Sequence, residues 1–332
     1  MIKGVKKIVE TDVNVREGEK VLILADTAQR FDIIQLFATV ASQRGAEVFI
    51  FIMTPREFQG AQPPEAVGAA MEHVDVIFEI TSIFVGHSEA RFRALKAGAR
   101  YYCMAEITEE ELVGPSGVFA DYFALEPMLT KLAELETKAK NIEVTTKAGT
   151  SLKASIEGRY ARALTGIAHK PGIHSGPADL EVSIAPVEKT GNGVVIIDAW
   201  VVDLGVLKNP IEVTIRDGAA VDIQGGKEAE KLVNMLEATR TPLSYQLCEI
   251  GIGLNPLCRY DLVGIRRGVM EAEGKYGTSH IALGTSPWPE SKQRAPAHID
   301  CVYWKPTVRL DDKVVIEDGE VIEEIKSLAK WE

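Results

Sequence analysis

The alternation in the first part of the chain constrains its fold most. Short apolar runs at 21–25, 48–53, 74–80 and 100–104 are separated by stretches with helical spacing. One such stretch, 31–44, places Ile33, Ile34, Phe37, Val40 and Ala41 on one helix face, with Gly45 as a stop. Strands that are apolar throughout are buried on both faces. With intervening helices they predict a mainly parallel sheet covered on each side. The turn after the first run, Ala25-Asp26-Thr27-Ala28-Gln29-Arg30, lacks the glycines that let a backbone approach a pyrophosphate. A dinucleotide site is therefore disfavoured. The reading is an α/β scaffold domain over residues 1–140, closed by a helix at 126–140.

After that helix the texture changes. Residues 142–146 and 151–156 flank Lys147-Ala148-Gly149-Thr150 and read as a hairpin. Further strands are expected at 194–202, 211–215 and 219–223, and a helix at 225–236. Residues 141–332 thus form a strand-rich α+β domain, expected to bind metal and carry the catalysis. In a chain of 332 residues with 46% hydrophobic content, two such domains can each bury a core. The net charge of −11 disfavours a nucleic-acid partner. No apolar run approaches the roughly 18 residues of a membrane span, and the opening Met1-Ile2-Lys3-Gly4-Val5-Lys6-Lys7 has no apolar segment behind its lysines. Cys103, Cys248, Cys258 and Cys301 show no CxxC spacing. The expectation is a soluble, reduced, cytoplasmic protein with no membrane partner.

Chemistry concentrates in the second part. His298-Ile299-Asp300 opens an expected strand at 298–304, and residues i and i+2 of a strand share a face. An imidazole and a carboxylate then stand side by side, a pair that suits a divalent metal. His280 stands at the mouth of the apolar run 279–284. Glu249 interrupts the apolar run 247–253, and Glu181 the run 180–186. A carboxylate within an apolar strand is costly unless paired or metal-bound. Glu181, Glu249, His280, His298 and Asp300 together suit one divalent metal, or two bridged by a carboxylate; His280, His298 and Asp300 alone would make a two-histidine, one-carboxylate triad. Glu271 and Glu273, on an expected helix at 264–275, read as solvated. His73 and His87 read as structural or solvated, having no acid–base partner in view.

The motifs Glu249-x-Gly-x-Gly-Leu-Asn255-Pro256, Ser279-His280-Ile-Ala-Leu-Gly284, His298-x-Asp300 and Asp311-Asp312-Lys313 occur in one order. This pattern resembles the superfamily that holds the aminopeptidase T-type metallopeptidases and the 2,5-dihydroxypyridine 5,6-dioxygenases. The peptidase branch implies a dinuclear site on Glu181, Glu249, His280, His298 and Asp300. The dioxygenase branch implies one Fe(II), with its last two ligands on His298 and Asp300. Its first histidine falls at Glu249, and an apolar residue at His280. By residue type the site is similar to the peptidases. The Gly-Leu-Asn-Pro stretch and the C-terminal Asp-Asp-Lys run are similar to the dioxygenase. The peptidase tyrosine is absent; Pro287 and Trp288 occupy that region. His174 falls close to a catalytic histidine of the dioxygenase branch.

The resulting expectation is a metal-dependent hydrolase cleaving a C–N bond of a small substrate. Water would be activated by one or two divalent ions (Zn, Mn, Co or Fe), with Glu249 as bridge or base and His174 moving a proton. The alternative is a mononuclear Fe(II) ring-cleaving dioxygenase, and a third class is a catalytically idle binding protein. Trp288 and Arg294 flank the motifs and are candidates for holding an aromatic or anionic substrate. The resemblance also implies a homo-oligomer.

Overall fold

A computed structural model describes residues 1–330. The expected parallel sheet is present, with strand order Glu47–Met53, Lys20–Asp26, Val76–Ile80, Arg100–Cys103 and His174–Ser175, every neighbour parallel. Val21 to Ala25 and Val76 to Phe78 are fully buried, as expected of continuous apolar strands. The equally apolar Glu47–Met53 is instead the sheet edge, where Phe49 to Ile52 are 40–46% exposed rather than buried on both faces. Helices Phe31–Gln43, Glu65–Met71 and Glu89–Ala97 cross between the strands. The last helix starts where Ser88 Oγ accepts from the Arg91 amide and stops at Gly98 in the left-handed conformation. These two signals fix where Arg91 enters the interior.

The last strand of this sheet is only His174–Ser175, too short for any periodicity to announce it. It brings a loop of the later chain back onto the first sheet, between two strands that belong elsewhere.

The rest of the chain builds two antiparallel sheets. An eight-stranded sheet contains the expected hairpin, Asn141–Thr145 with Ser151–Ser155. A seven-stranded sheet runs Gly205–Val206, Trp200–Val201, His298–Trp304, Thr278–Gly284, Leu247–Gly253, Glu181–Ile184 and Arg162–Leu164. The span 194–202, expected as one strand, is divided. Asn192–Ile197 lies in the eight-stranded sheet and Trp200–Val201 in the seven-stranded one, so the apolar run passes from one sheet to the other.

The helix expected at 264–275 is only Val269–Glu273, and its carboxylates are not solvated. Glu271 is buried and accepts from the amides of Gly117 and Arg259; Glu273 is buried against the site described below. All four cysteines are free and buried, and no helix among the described residues is long and apolar enough to cross a membrane.

Candidate metal centre

The register of the seven-stranded sheet gathers the five expected donors on one face. Directly opposed residues of antiparallel strands share a face. Glu249 opposes Ala282, which opposes Asp300; Gly251 opposes His280; Gly253 opposes Glu181; Gly284 opposes His298. A register shift between Leu247 and Glu249 sets Glu249 on this face. The intervening positions are small, which leaves room above the sheet. A Cβ at Gly251 would lie 2.2 Å from the His280 ring, so the imidazole lies flat across a bare backbone. Asn255 holds the loop that follows: its Nδ2 donates to the carbonyls of Gly117 and Ala178, and its Oδ1 accepts from Leu257 N.

The donors form two sets of three, Glu181–Glu249–His280 and Glu249–His298–Asp300, with Glu249 common to both. His298 Nε2 lies 3.1 Å from Asp300 Oδ1 and 3.4 Å from Glu249 Oε2. His280 Nε2 lies 3.5 Å from Glu181, 3.9 Å from Asp300 and 4.0 Å from Glu249. Two donors that share an ion at about 2.1 Å are separated by roughly 3.0–3.4 Å, so the His298 set already has the right spacing. His298 Nδ1 donates to the Thr285 carbonyl at 2.7 Å, which leaves Nε2 facing the carboxylates. Without a metal its N–H donates to Asp300 Oδ1, and an ion would take the place of that proton.

Asp179, absent from the sequence reading, and Glu273, read there as solvated, also line the cavity. That makes five buried carboxyls with only two histidines among them. Burial raises Asp179 and Glu273 well above the usual carboxylate range, and burial raises Glu181 to about 7. Burial opposes protonation of His280, yet Glu181, Glu249 and Asp300 hold it up at about 9. Burial would raise Asp300, but His298 keeps it below its ordinary value. Asp179 Oδ1, Glu273 Oε1 and His280 Nδ1 have no hydrogen-bond partner. Unpaired buried carboxyls of this density fit a divalent cation, which would replace the protons they otherwise retain. The mixed nitrogen and oxygen set suits Fe, Zn, Mn or Co.

A cavity lies above the donors and is lined by all five of them. Phe84, Leu164, Val269 and Met270 give it an apolar side. His87 lines it too, contrary to the structural or solvated reading. Its ring meets His298 edge-on with centroids 4.1 Å apart, its Nδ1 is buried without a partner, and burial together with the neighbouring His298 keeps it neutral. His73 is exposed, as expected.

His174 also lines the cavity, but as a donor. Arg91 Nη1 at 3.1 Å and Arg162 Nη2 at 3.3 Å both meet its Nδ1. A guanidinium only donates, so Nδ1 accepts and the proton is on Nε2. Trp288 and Arg294 lie outside the lining. Trp288 Nε1 donates to the Tyr160 carbonyl, and Arg294 pairs with Glu89.

The family model for 2,5-dihydroxypyridine 5,6-dioxygenase (NicX) matches residues 5–323. The chain belongs to the NicX family. A 2,5-dihydroxypyridine 5,6-dioxygenase from Pseudomonas putida KT2440 is 25% identical over 275 residues, 80% of this chain and 76% of the relative. The solved structure of the 2,5-dihydroxypyridine dioxygenase from that organism superposes with a TM-score of 0.82 at 21% identity, covering 97% of this chain and 96% of the other. Wild-type AmpT from Thermus thermophilus superposes with a TM-score of 0.68 at 17% identity, covering 97% and 98%. The fold of this NicX-family chain is thus shared with both branches of the superfamily, and the family match favours the dioxygenase branch.

Proposed function

We propose that the chain is a non-haem Fe(II) enzyme that opens the ring of a small, hydroxylated aromatic substrate. The observation that carries this reading is the NicX family match across nearly the whole chain, combined with a cavity over a buried His–carboxylate centre. Glu249, His298 and Asp300, the more tightly spaced set, would hold the ion, with His280 as a further donor. A bound ferrous ion would supply Lewis acidity and electrons for reaction with O₂.

The chain's own residues do the rest. Phe84 and Met270 enclose an apolar ring and exclude water. His87 offers a neutral imidazole, tied to no carboxylate or arginine, placed to hydrogen-bond a ring hydroxyl. His174 offers an Nε2–H to an oxygen on the substrate. The Thr285 carbonyl keeps His298 in the tautomer that ligates.

A second reading is supported by one specific observation: Glu249 belongs to both donor sets. A carboxylate shared in this way suits two bridged ions and hydrolysis of a C–N bond. The deciding experiment is oxygen uptake by Fe(II)-reconstituted protein with 2,5-dihydroxypyridine, beside metal stoichiometry by plasma mass spectrometry. The dioxygenase reading expects substrate-dependent O₂ consumption that His298→Ala abolishes. Two ions per chain and anaerobic turnover of amides, with no O₂ uptake on any dihydroxylated ring, would replace it with the hydrolase.

A further inference from the structure

The cavity has a second pole. Arg91 is 1% exposed and forms no ion pair among the described residues; neither does Arg162. Arg91 donates to His174 and to the Pro287 carbonyl, and its Nε is buried without a partner. Arg162 donates to the same carbonyl and the same imidazole, and its guanidinium stacks on Trp288. The buried carboxyl group that acts on Arg91 is Glu79, which is already engaged by Val85 N, Thr81 Oγ1 and Tyr101 Oη. Two guanidinium groups therefore converge on a neutral histidine with no anion between them.

Burying a cation without a counter-ion is costly, and folds retain such an arrangement where a ligand completes it. The free donors are of the right kind. His174 Nε2–H is buried and unpartnered, and Arg162 and His174 both line the cavity. A planar guanidinium beside an imidazole N–H matches a planar, singly charged oxyanion. The carboxyl-rich pole described above repels an anion unless metal is bound, whereas this pole attracts one. The cavity thus orients a substrate end to end.

We propose that Arg162 and His174, backed by Arg91, form a carboxylate-binding subsite, so that the substrate is a small ring bearing a carboxylate as well as the oxygen that faces the metal donors. This rests on the reading of the cavity as the substrate site, and not on which of the two reactions occurs there. It departs from the substrate in the relative's name, since 2,5-dihydroxypyridine carries no carboxylate.

The test compares two probes that differ only in charge, 3-hydroxybenzoate and 3-hydroxybenzamide, titrated calorimetrically into anaerobic Fe(II)-loaded protein. The acid is expected to bind at least about tenfold tighter than the amide. Arg162→Gln is expected to erase that preference while amide affinity and metal content hold, and Arg162→Lys to keep part of it. Equal affinities for the two probes, including no binding by either, overturn the proposal. So does a preference that survives in Arg162→Gln. Oxygen uptake and metal stoichiometry are read separately, so failure of the ring-cleavage reading leaves a distinct signature.

Discussion

Gly251 gives the sharpest test of the metal centre. Its backbone lies outside the left-handed region, so alanine is admissible there on conformational grounds. The added Cβ would meet His280 Cε1 at 2.2 Å and Nε2 at 2.3 Å. Non-bonded carbon contacts settle near 3.5 Å, so the ring must retreat by roughly 1 Å. A metal ligand tolerates displacement of only about 0.2 Å. Gly251→Ala is thus expected to remove His280 from the centre and to weaken metal retention at least 10- to 100-fold, the scale set by lesser disturbances around metal ligands. The overpacking itself costs about 1–3 kcal/mol, which a folded domain survives. Gly253→Ala is the contrasting control. Its Cβ would strike the carbonyls of Lys275 and Glu273 at 2.4 and 2.5 Å, rigid backbone rather than a movable ring, so stability should fall more steeply. The assay is plasma mass spectrometry after dialysis against graded chelator, beside thermal melts. Wild-type stoichiometry and chelator resistance in Gly251→Ala would refute the placement of His280 as a ligand.

Other consequences are open to direct measurement. Glu249→Gln removes the carboxylate common to both donor sets, so metal content should fall to background; a variant that keeps one full equivalent would show that Glu249 is dispensable. Burial raises the Glu106 carboxyl to about 8, and its Oε2 is unpartnered while Oε1 accepts from Gln59. A carboxyl raised in the folded state favours folding while protonated and loses that contribution as pH climbs toward 8. Glu106→Gln should therefore raise the melting temperature more at pH 8.5 than at pH 6, and a gain independent of pH would contradict this. Asn255→Ala removes two donations and the acceptor of Leu257 N, but Gly117 O keeps Tyr122 Oη and Ala120 N, and Ala178 O keeps Leu180 N and Cys258 Sγ. The loss in denaturant unfolding should be about 1–2 kcal/mol, and a loss above about 3 kcal/mol would contradict this.

Much of this was readable from the chain alone, for identifiable reasons. The inner strands of the parallel sheet were legible because strands buried on both faces have no polar alternation, whereas the same apolar signal at Glu47–Met53 marks an exposed edge strand. The runs 247–253 and 298–304 coincide with the strands Leu247–Gly253 and His298–Trp304 for the same reason. Out-of-place polar residues in those runs pointed to Glu249, His298 and Asp300, since a buried carboxylate needs a partner. What stayed hidden depended on distant chain. His87 looked unpartnered because the ring it touches, His298, comes from another sheet. Glu271 looked solvated because its partners are backbone amides at Gly117 and Arg259, which leave no side-chain signal. Asp179 and Glu273 had no apolar strand around them to make them conspicuous. The pairing of Arg91 with His174 depends on a two-residue strand that no pattern announces.

That two-residue strand has an evolutionary consequence. By returning His174 to the parallel sheet, it assigns the opposite walls of one cavity to different sheets. The metal donors stand on the antiparallel sheet, whereas the arginine–histidine pole joins Arg91 and His174 of the parallel sheet to Arg162 on the antiparallel sheet's own edge strand. Arg91 and His174 can therefore be exchanged on backbone that does not pair with the donor strands, while Arg162 sits on a strand that pairs with the one bearing Glu181. A lineage on this frame could exchange its chemistry without relearning its substrate, or keep its chemistry and adopt a new one. A chain with the family's frame and a distinct set of donors is the kind of descendant such a division permits.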